Sequence, residues 1–322
     1  MQRIAVTGSA GFIGSHLVDA LLDRGYAVVG IDNLSMGRRE NFEHQLASPR
    51  FEFRETDVRD LPALRTACAG PEVIVHLAAY KIPRYGGALE TLLVNGKGGE
   101  HVLEIGRETG AKVLLASTSD VYGKNPRLPF AEGDDSVFGA SVVPRWSYAV
   151  SKLFEEHLGF AYREAHGVPV VMLRFFGSYG PREHRSWWGG PQAAFIENIL
   201  TGKEIEIHGD GQQTRSFTFV SDTVQGIVKA IECDQAVGEV LNIGSDHEIT
   251  VLDLARLVMR LMDCPESRLR FRPYSEVGKG PYEDVRRRVP SLTKSKALLD
   301  FSCVVPLEDG IARTIAWHRS AK

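Results

Sequence analysis

The sequence is poor in cysteine, close to neutral in charge and free of long apolar runs. Its four cysteines lie far apart, without Cys-x-x-Cys spacing or a nearby histidine cluster, which argues against a zinc site or a disulfide framework. The formal net charge of −3 offers no footprint for nucleic acid or an anionic membrane. No apolar run is long enough to span a membrane, and the N-terminus does not resemble a signal peptide. We therefore expect a cytoplasmic protein with reduced cysteines, no metal, and neither nucleic acid nor a membrane among its partners.

A glycine-rich turn near the N-terminus is the first functional signal. The β-branched run Arg3–Thr7 leads into glycines spaced Gly-x-x-Gly-x-x-Gly, and an apolar pattern of helical period follows. Glycine permits a tight turn and close approach to a pyrophosphate, while a helix N-terminus offers N–H groups and a positive dipole end. The turn predicts a dinucleotide site, although a glycine turn without a ligand is the alternative for this motif alone. Its residues are Gly8, Gly11, Phe12, Ile13 and Gly14.

An acidic residue ends the second predicted strand. The run Ala27–Ile31 is typical of a strand, and Asp32 follows it directly. A carboxylate in this place can accept hydrogen bonds from a ribose 2′-hydroxyl and would repel a 2′-phosphate, which favours NAD over NADP. Arg38 and Arg39 weaken this preference, because basic side chains nearby could bind a 2′-phosphate.

Small or polar residues follow each of the next predicted strands. Strands and helical patterns alternate, with a long helical pattern at Leu89–Thr109, and this alternation predicts a doubly wound parallel α/β sheet. Ligands of such sheets gather at the carboxyl ends of the strands. The strands and the residues behind them are Phe51–Arg54 before Asp57 and Val58, Val73–His76 before Leu77, Ala78 and Ala79, and Lys112–Ala116 before Ser117, Thr118 and Ser119.

A tyrosine and a lysine four residues apart form the candidate catalytic pair. Tyr148 and Lys152 would lie on one face of a helix, one turn from each other. A phenol has a pKa of about 10 and is a poor base at neutral pH. A fixed ammonium ion beside it favours the phenolate and lowers that pKa, which makes the pair a candidate proton shuttle for a sugar hydroxyl. An exposed tyrosine with a solvated lysine is the alternative when the pair is considered alone.

Taken in order, these motifs resemble the extended short-chain dehydrogenase/reductase family, and in particular its nucleotide-sugar epimerases, dehydratases and decarboxylases. The resemblance covers nearly the whole chain. It implies a doubly wound NAD-binding (Rossmann) sheet with a smaller, discontinuous C-terminal α/β substrate domain. The matching stretches are Thr7–Gly14, Asp32-Asn33, Asp57-Val58, His76–Ala79, Asn95, Ser117–Gly123, Tyr148–Lys152, Arg174–Pro181, Gly209–Phe217 and Tyr282–Pro290.

The resemblance implies NAD as the cofactor. The glycines of the N-terminal turn would surround the pyrophosphate, Asp32 would hold the adenosine ribose, and Asp57 with Val58 would contact the adenine. The residues after the fourth strand would line the path to the nicotinamide, whose ribose Lys152 would hold. The implied cofactor-binding set is Gly8, Gly11, Phe12, Ile13, Gly14, Asp32, Asn33, Asp57, Val58, Leu77, Ala78, Ala79, Asn95, Tyr148, Lys152 and Phe175.

The resemblance also implies catalysis by transient oxidation of the sugar at C4. Tyr148 would be the general base, with Lys152 lowering its pKa, and Thr118 or Ser117 would hydrogen-bond to the reacting hydroxyl. For the serine–threonine cluster alone, a cap on the strand end is the alternative. The implied catalytic set is Tyr148, Lys152, Thr118, Ser117, Ser119 and Asp120.

The predicted division of the 322-residue chain follows from the same family. Residues 1–173 with about 218–245 would form the NAD-binding domain, and about 174–217 with 246–322 the sugar-nucleotide-binding domain. The pair Trp187-Trp188 either closes a lid over the sugar or packs the smaller domain, and packing is favoured. For Arg215, a solvated arginine on a hairpin turn is the alternative to a diphosphate contact. The implied substrate-binding set is Lys81, Arg84, Gly177, Arg182, Arg185, Arg215 and Arg288.

Four positions bear on the choice of reaction. The segment Tyr282–Arg288 resembles the corresponding part of UDP-glucuronate decarboxylases, in which a catalytic arginine aligns with Arg288. Asp120 stands where those enzymes carry glutamate, and Ser119 replaces the aspartate of the dehydratases. Gly177 replaces an asparagine common among relatives and leaves the exact hexose open.

We expect an NAD-dependent UDP-sugar 4-epimerase, in first place a UDP-glucuronate 4-epimerase, with UDP-glucuronate decarboxylase as the alternative. UDP-glucose 4-epimerase, a sugar-nucleotide dehydratase and a non-catalytic binding module are disfavoured. A homodimer is the expected assembly. Its helices would be Leu89–Thr109 and Tyr148–His166, which pair across subunits in relatives and are amphipathic here.

Overall fold

The fold is built from short strands and the helices that connect them. A computed structural model describes residues 2–81, 87–276 and 283–320. Where the strands lie side by side, their apolar side chains are mostly buried. In chain order they are β1 (Arg3–Thr7), β2 (Ala27–Asp32), β3 (Phe51–Glu55), β4 (Val73–His76), β5 (Lys112–Thr118), β6 (Val170–Phe175), β7 (Ser178–Tyr179), β8 (Ile205–His208), β9 (Thr214–Ser216), β10 (Thr218–Phe219), β11 (Val240–Ile243), β12 (Glu248–Thr250) and β13 (Leu269–Arg272).

Within the described ranges, seven strands form one parallel sheet in the order β3-β2-β1-β4-β5-β6-β11. Strand β1 pairs with β2 on one side and with β4 on the other, so that Thr7 lies beside both Ile31 and His76. The strand order reverses at this point, which opens a crevice beyond the carboxyl ends of the strands. The doubly wound parallel sheet predicted from the sequence is confirmed.

Helices cover both faces of this sheet. They are α1 (Phe12–Asp23), α2 (Leu61–Ala67), α3 (Ala88–Thr109), α4 (Trp146–His166), α5 (Pro191–Leu200), α6 (Val220–Glu232), α7 (Val251–Leu261), α8 (Thr293–Leu299) and α9 (Leu307–Ser320). Helices α3 and α4 pack together on one face, and α1 and α6 pack on the other. Parallel strands covered in this way are buried on both sides, which explains their continuous apolar runs.

A smaller region is assembled from short pieces outside the sheet. Strand β8 pairs with β13, β9 pairs antiparallel with β12, and helices α5, α7 and α9 pack against one another. Between these pieces the chain returns to the sheet through α6 and β11. This course supports the two-domain division, which we retain as a proposal.

Strand β5 extends further than its sequence pattern indicates. The apolar run predicts a strand ending at Ala116, but the parallel ladder with β6 continues through Ser117, paired with Arg174, and Thr118, paired with Phe175. Backbone hydrogen bonding therefore extends the strand past its last apolar residue. As a consequence, both hydroxyl side chains start from a rigid strand end.

A buried lysine joins the sheet to helix α6. Lys112 opens β5, and its Nζ donates to the carbonyl oxygens of Ala230, Ile231 and Cys233, each at 2.9 Å. These carbonyls lie at the C-terminal end of α6, where the last C=O groups have no partner inside the helix and the dipole end is negative. One ammonium ion with three donors therefore satisfies the helix end and itself.

Replacing Lys112 by methionine is expected to destabilise the fold. The apolar stem keeps its packing, but the end of α6 loses three charge-assisted hydrogen bonds, at a cost of about 3 kcal/mol in the free energy of unfolding. Chemical denaturation measures the difference. Lys203→Met, at an exposed lysine, is the control, and equal stability of the two variants would contradict the capping role.

Candidate active site

A large cleft of about 1370 Å³ opens at the carboxyl ends of the sheet strands. Its walls come from these strand ends on one side and from the smaller region on the other. Of the predicted site residues within the described ranges, all except Asn95 line it. Arg84 lies outside the described residues.

The N-terminal glycine turn has the shape that a diphosphate requires. A Cβ on Gly14 would stand 2.0 Å from the carbonyl oxygen of Gly8, and Gly8 itself has a φ of +72°. Helix α1 begins at Phe12, and no described side chain caps its N-terminus. Its N–H groups and positive dipole end are thus available to an anion. The turn therefore fits the diphosphate of a dinucleotide.

Asp32 is held in place by the same turn. Its carboxylate accepts backbone hydrogen bonds from Ala10 at 3.0 Å and from Leu34 at 2.8 Å. Burial raises the pKa of this carboxyl above its usual value, while the two N–H donors act in the opposite direction. Each carboxylate oxygen has a further lone pair, so the group retains acceptor capacity for a ribose hydroxyl.

A charged group forms the rim at the adenosine end of the cleft. Asn33 donates its side-chain amide to Asp57 at 2.9 Å, and Arg59 binds the same carboxylate through Nε at 3.0 Å and Nη2 at 2.7 Å. The Arg59 guanidinium holds the pKa of Asp57 well below its usual range. An adenine at this rim would meet an ionised carboxylate that is already bound by two neighbours.

Asn95 lies behind the cleft wall. Its side chain is fully buried in α3, where Oδ1 accepts the backbone N–H of Tyr80 at 2.8 Å and Nδ2 donates to Ser151 Oγ at 2.9 Å. Ser151 in turn donates to the carbonyl oxygen of Tyr148 at 2.8 Å. Asn95 thus connects the segment after β4 to helix α4 and supports the site from behind.

Tyr148 and Lys152 lie near the start of α4, and both line the cleft. The Lys152 ammonium ion binds the Glu155 carboxylate at 2.9 Å, and both side chains are 1% exposed. Burial raises the pKa of Tyr148 above its usual value, and the carboxylates of Asp120 and Glu155 add to this effect. The lowered tyrosine pKa expected from the sequence is therefore wrong for this structure, because Glu155 neutralises Lys152 and desolvation disfavours the phenolate.

Ser117 is directed to a buried ion pair. Its Oγ donates to Glu156 Oε1, and the same carboxylate binds Arg174 through Nε at 2.9 Å and Nη2 at 2.6 Å. The hydroxyl of Ser117 is therefore committed to fastening β5 to helix α4.

Thr118 is placed differently, at the phenol itself. Its hydrogen bond with Tyr148 acts to lower the tyrosine pKa, against the effect of burial. The same hydroxyl accepts the backbone N–H of Asp120 at 3.2 Å and caps the short 3-10 helix Ser119–Tyr122, in which Ser119 is almost fully buried. Of the two candidate hydroxyls, Thr118 is the one positioned to bind a substrate hydroxyl that reacts at Tyr148.

Charged side chains cluster in the part of the cleft next to Tyr148. Arg288 donates to Asp120, and Arg145 lies 3.5 Å from the same carboxylate. Arg145 is also 3.4 Å from Asp284, whose carboxylate binds Arg215 at 2.7 Å. The side chains of Arg145 and Arg215 are only 8% and 12% exposed, so their charge is partly desolvated. Arginines held in this way suit a carboxylate or a phosphate.

Sequence reasoning missed two members of this cluster. Arg145 precedes Tyr148 by three residues, a spacing that places side chains on one helix face and was the available signal. Asp284 lies within the stretch Tyr282–Arg288, where only the arginine drew attention; Tyr282 itself lies outside the described residues.

The remaining predicted substrate cations line other parts of the cleft. Arg182 binds Asp19 of helix α1 at 2.7 Å, and the Arg185 guanidinium lies over the Trp317 ring, 5.1 Å from its centroid. Lys81 is exposed at the rim. Their positive charge suits a diphosphate, although Arg182 already has a carboxylate partner.

Gly177 has a local reason to be glycine. Its φ is +49°, and a Cβ would stand 2.2 Å from the carbonyl oxygen of Ser216 in β9. The backbone after β6 therefore passes too close to β9 for a side chain. The departure from asparagine noted in the sequence reflects this contact.

The two tryptophans have separate surroundings. Trp187 stacks on His208 with ring centroids 4.3 Å apart and meets Phe195 edge-on at 5.9 Å, so it packs the smaller region. Trp188 meets Tyr80 edge-on at 5.7 Å, which brings the smaller region to the segment after β4. The favoured packing role thus describes Trp187, while Trp188 spans the cleft.

This fold and site define a known class: the chain belongs to the NAD dependent epimerase/dehydratase family, whose model matches residues 4–244. It is similar to the UDP-N-acetyl-alpha-D-glucosaminuronate decarboxylase of Bacillus cytotoxicus, with 34% identity over 320 residues, 99% of this chain and 98% of that one. It is also similar to UDP-glucuronic acid decarboxylase 1 of Arabidopsis thaliana, with 35% identity over 324 residues, 99% of this chain and 70% of that one. Among solved structures it resembles the UDP-glucuronic acid 4-epimerase of Bacillus cereus in complex with UDP-glucuronic acid and NAD, with a TM-score of 0.88, 30% identity and 100% of both chains covered.

The family resemblance inferred from the sequence is confirmed, and NAD is the cofactor. When bound, NAD supplies an acceptor for a substrate hydride and can return that hydride. The glycine turn and Asp32 would hold its adenosine diphosphate part. Tyr148 and Thr118 are then the groups that this chain places to bind and deprotonate a hydroxyl.

Replacing Tyr148 by phenylalanine is expected to stop turnover and to leave NAD binding intact. The ring keeps its packing, but the group that exchanges the proton is gone, which lowers the rate about a thousandfold or more. Turnover of a UDP-sugar and a fluorescence titration with NAD measure the two properties. Tyr162→Phe, near the other end of α4 where the phenol binds Glu104 at 3.3 Å, is the control. Activity retained by Y148F would refute the base assignment.

Proposed function

We propose that this chain is an NAD-dependent decarboxylase of a UDP-hexuronate and acts through transient oxidation at C4 of the sugar. The observation that carries the proposal is the contact of Arg288 with Asp120 beside Tyr148. A sugar whose C4 hydroxyl lies at Tyr148 has its C6 carboxylate two carbons away. The carboxylate would therefore lie in the part of the cleft where the arginines cluster.

Similarity over the full length supports this proposal. The two decarboxylases named above align with 99% of this chain. The arginine that the sequence pointed to is also brought into the site, although Arg288 is 168 residues from Asp120 along the chain.

The proposed reaction takes place at neighbouring carbons. Tyr148, as phenolate, takes the proton of the C4 hydroxyl while that carbon loses a hydride. With a ketone at C4, the electron pair of the C5–C6 bond moves into the ring as carbon dioxide leaves, and an enolate spans C4 and C5. A proton then adds to C5. Return of the hydride to C4, with the proton from Tyr148, gives a UDP-pentose.

The arginine cluster would stabilise this sequence of charges. The enolate is negative, and Arg288 and Arg145 both lie at Asp120. Fixed positive charge in a partly desolvated site lowers the energy of a developing anion without reorganisation at the moment of reaction. Asp120 holds Arg288 in place, and this pair would orient the water that supplies the proton to C5.

A UDP-glucuronate 4-epimerase is the second candidate, and Asp120 is the observation that favours it. Aspartate is shorter by one methylene than the glutamate of the decarboxylases that the sequence resembles. Its carboxylate is also engaged by Arg288 and lies close to Arg145, so its reach toward C5 is limited. If the carboxylate is retained, the 4-keto sugar can turn and receive the hydride on its other face.

A proton NMR time course with NAD and either UDP-glucuronate or UDP-N-acetylglucosaminuronate tests the proposal. We expect a UDP-pentose, or its N-acetylamino counterpart, together with release of carbon dioxide. Formation of the C4 epimer with its carboxylate retained would establish the second candidate instead. No turnover of either uronate would reject the hexuronate assignment.

A matched pair of arginine variants provides the control for this time course. Arg288→Met is expected to lower pentose formation about a hundredfold while NAD binding is retained, because the enolate loses its fixed charge. Arg287→Met removes a neighbouring guanidinium that is 52% exposed and binds Glu248 at 2.7 Å, and we expect near-normal rates. Equal losses in both variants would contradict the role of Arg288.

We also propose that two copies associate through helices α3 and α4. These helices pack side by side and expose large apolar side chains to solvent. A contiguous apolar patch on a protein surface supports a protein interface, and a second copy presenting the same face would bury it. Its members are Leu89, Leu92, Leu93, Val150 and Phe154, with exposed fractions between 41% and 70%.

Placing a charge in this patch is expected to separate the copies. Phe154→Glu would put an ionised carboxylate into an apolar interface, and we expect mass photometry to show a dimer for the parent chain and a monomer for the variant. Phe271→Glu, at a residue 53% exposed on β13, is the control and should remain dimeric. A parent chain that is monomeric at all concentrations would reject the proposed interface.

A cytoplasmic location remains part of the proposal. All four cysteines are free thiols, which supports a reducing compartment. No helix in the described ranges combines the length and apolar character needed to cross a membrane.

A further inference from the structure

A buried glutamate behind Lys152 has no part in the reaction proposed above. Glu155 lies one turn after Lys152 on α4; its side chain is 1% exposed, and Oε2 accepts from Lys152 Nζ at 2.9 Å. Its other oxygen, Oε1, has no hydrogen-bond partner in the described part of the chain. A buried carboxylate that is only half satisfied costs stability, so a purely structural role accounts poorly for it.

The surroundings of Glu155 leave Lys152 as its counter-ion. Helix α3 presents Gly99, where a Cβ would stand 2.8 Å from Glu155 Cγ, so that side offers no charged or polar group. Strand β4 contributes His76, which also faces Lys152; burial lowers the pKa of its ring to about 3 and keeps it neutral. On α4 itself, the neighbouring carboxylate of Glu156 is a like charge.

Tyr148 also feels this glutamate. The negative charge of Glu155 helps to raise the pKa of the phenol, together with burial and Asp120. The carboxylate thus withdraws the Lys152 charge from the phenol and adds an unfavourable charge of its own.

We propose that Glu155 is a positioning residue that holds Lys152 in a resting arrangement and competes with the NAD ribose and the Tyr148 phenolate for its ammonium ion. The inference rests on the proposed function for the roles of Lys152 and Tyr148. While the carboxylate is ionised, the ammonium ion stays bound on the inner side of α4. When the carboxyl takes up a proton, the ammonium ion is released to the cleft.

The protonation of Glu155 falls in a useful range. Burial raises the pKa of its carboxyl to about 7, although the Lys152 ammonium ion acts to lower it. The carboxyl is therefore mostly neutral below that pH and mostly ionised above it. The competition for Lys152 consequently strengthens as the pH rises through neutrality, and affinity for NAD should fall over the same interval.

NAD binding as a function of pH tests this inference without any UDP-sugar. In the parent chain we expect the dissociation constant for NAD, followed by tryptophan fluorescence, to rise about tenfold between about pH 6 and about pH 8. Glu155→Gln keeps the shape of the side chain and removes its charge, so the variant should bind NAD tightly and evenly across this range. Glu164→Gln, an exposed position on the same helix, is the control and should behave as the parent chain.

A second readout follows the phenol. In Glu155→Gln the acidic limb of the turnover profile should move to lower pH by about one unit, because one carboxylate near Tyr148 is gone. Weaker NAD binding by the variant, or a pH dependence equal to that of the parent chain, would overturn the proposal. If the variant does not fold, as judged by circular dichroism, a parent-chain affinity that does not change between about pH 6 and about pH 8 overturns it equally. An incorrect substrate assignment would leave the NAD titration unaffected.

Discussion

The buried ion pair between Arg174 and Glu156 is the contact on which the geometry of the cleft depends. It joins the end of β6 to helix α4 at 2.6 Å, with side chains 7% and 4% exposed, and Ser117 of β5 donates to the same glutamate. Removing one partner of such a pair leaves a buried charge without compensation, at a cost of about 3–5 kcal/mol. Helix α4 is thereby held to two strand ends in one register, and this register sets where Tyr148 meets the cleft.

Charge in the cleft is arranged in compensated pairs. Arg288 lies on Asp120, Arg215 on Asp284, and Lys152 on Glu155. A cofactor or substrate has to join or displace these pairs, so its binding depends on differences between them, and low local dielectric makes the differences large. The same arrangement explains why a lysine one turn from the phenol does not by itself produce a phenolate.

Local patterns predicted much of the cofactor side of the cleft. The glycine turn, Asp32 and the small residues after β4 each follow a strand, and parallel strands bring their carboxyl ends to one edge. Asn95 shows where this reasoning ends. It belongs to the matching helix, yet its amide supports the wall from behind through Tyr80 and Ser151, because a sequence pattern specifies the order of elements and not the depth of a side chain.

The sequence by itself determined the parallel sheet, the diphosphate turn and the spacing of Tyr148 and Lys152, since these follow from strand and helix periodicity and from the backbone freedom of glycine. Only the tertiary structure decided the electrostatic state of that pair, the junction of Arg145 with Asp120 and Asp284, and the backbone contact that makes Gly177 necessary. These contacts join segments distant in the chain. Their energies depend on separation and desolvation, and both quantities exist only once the segments have packed together.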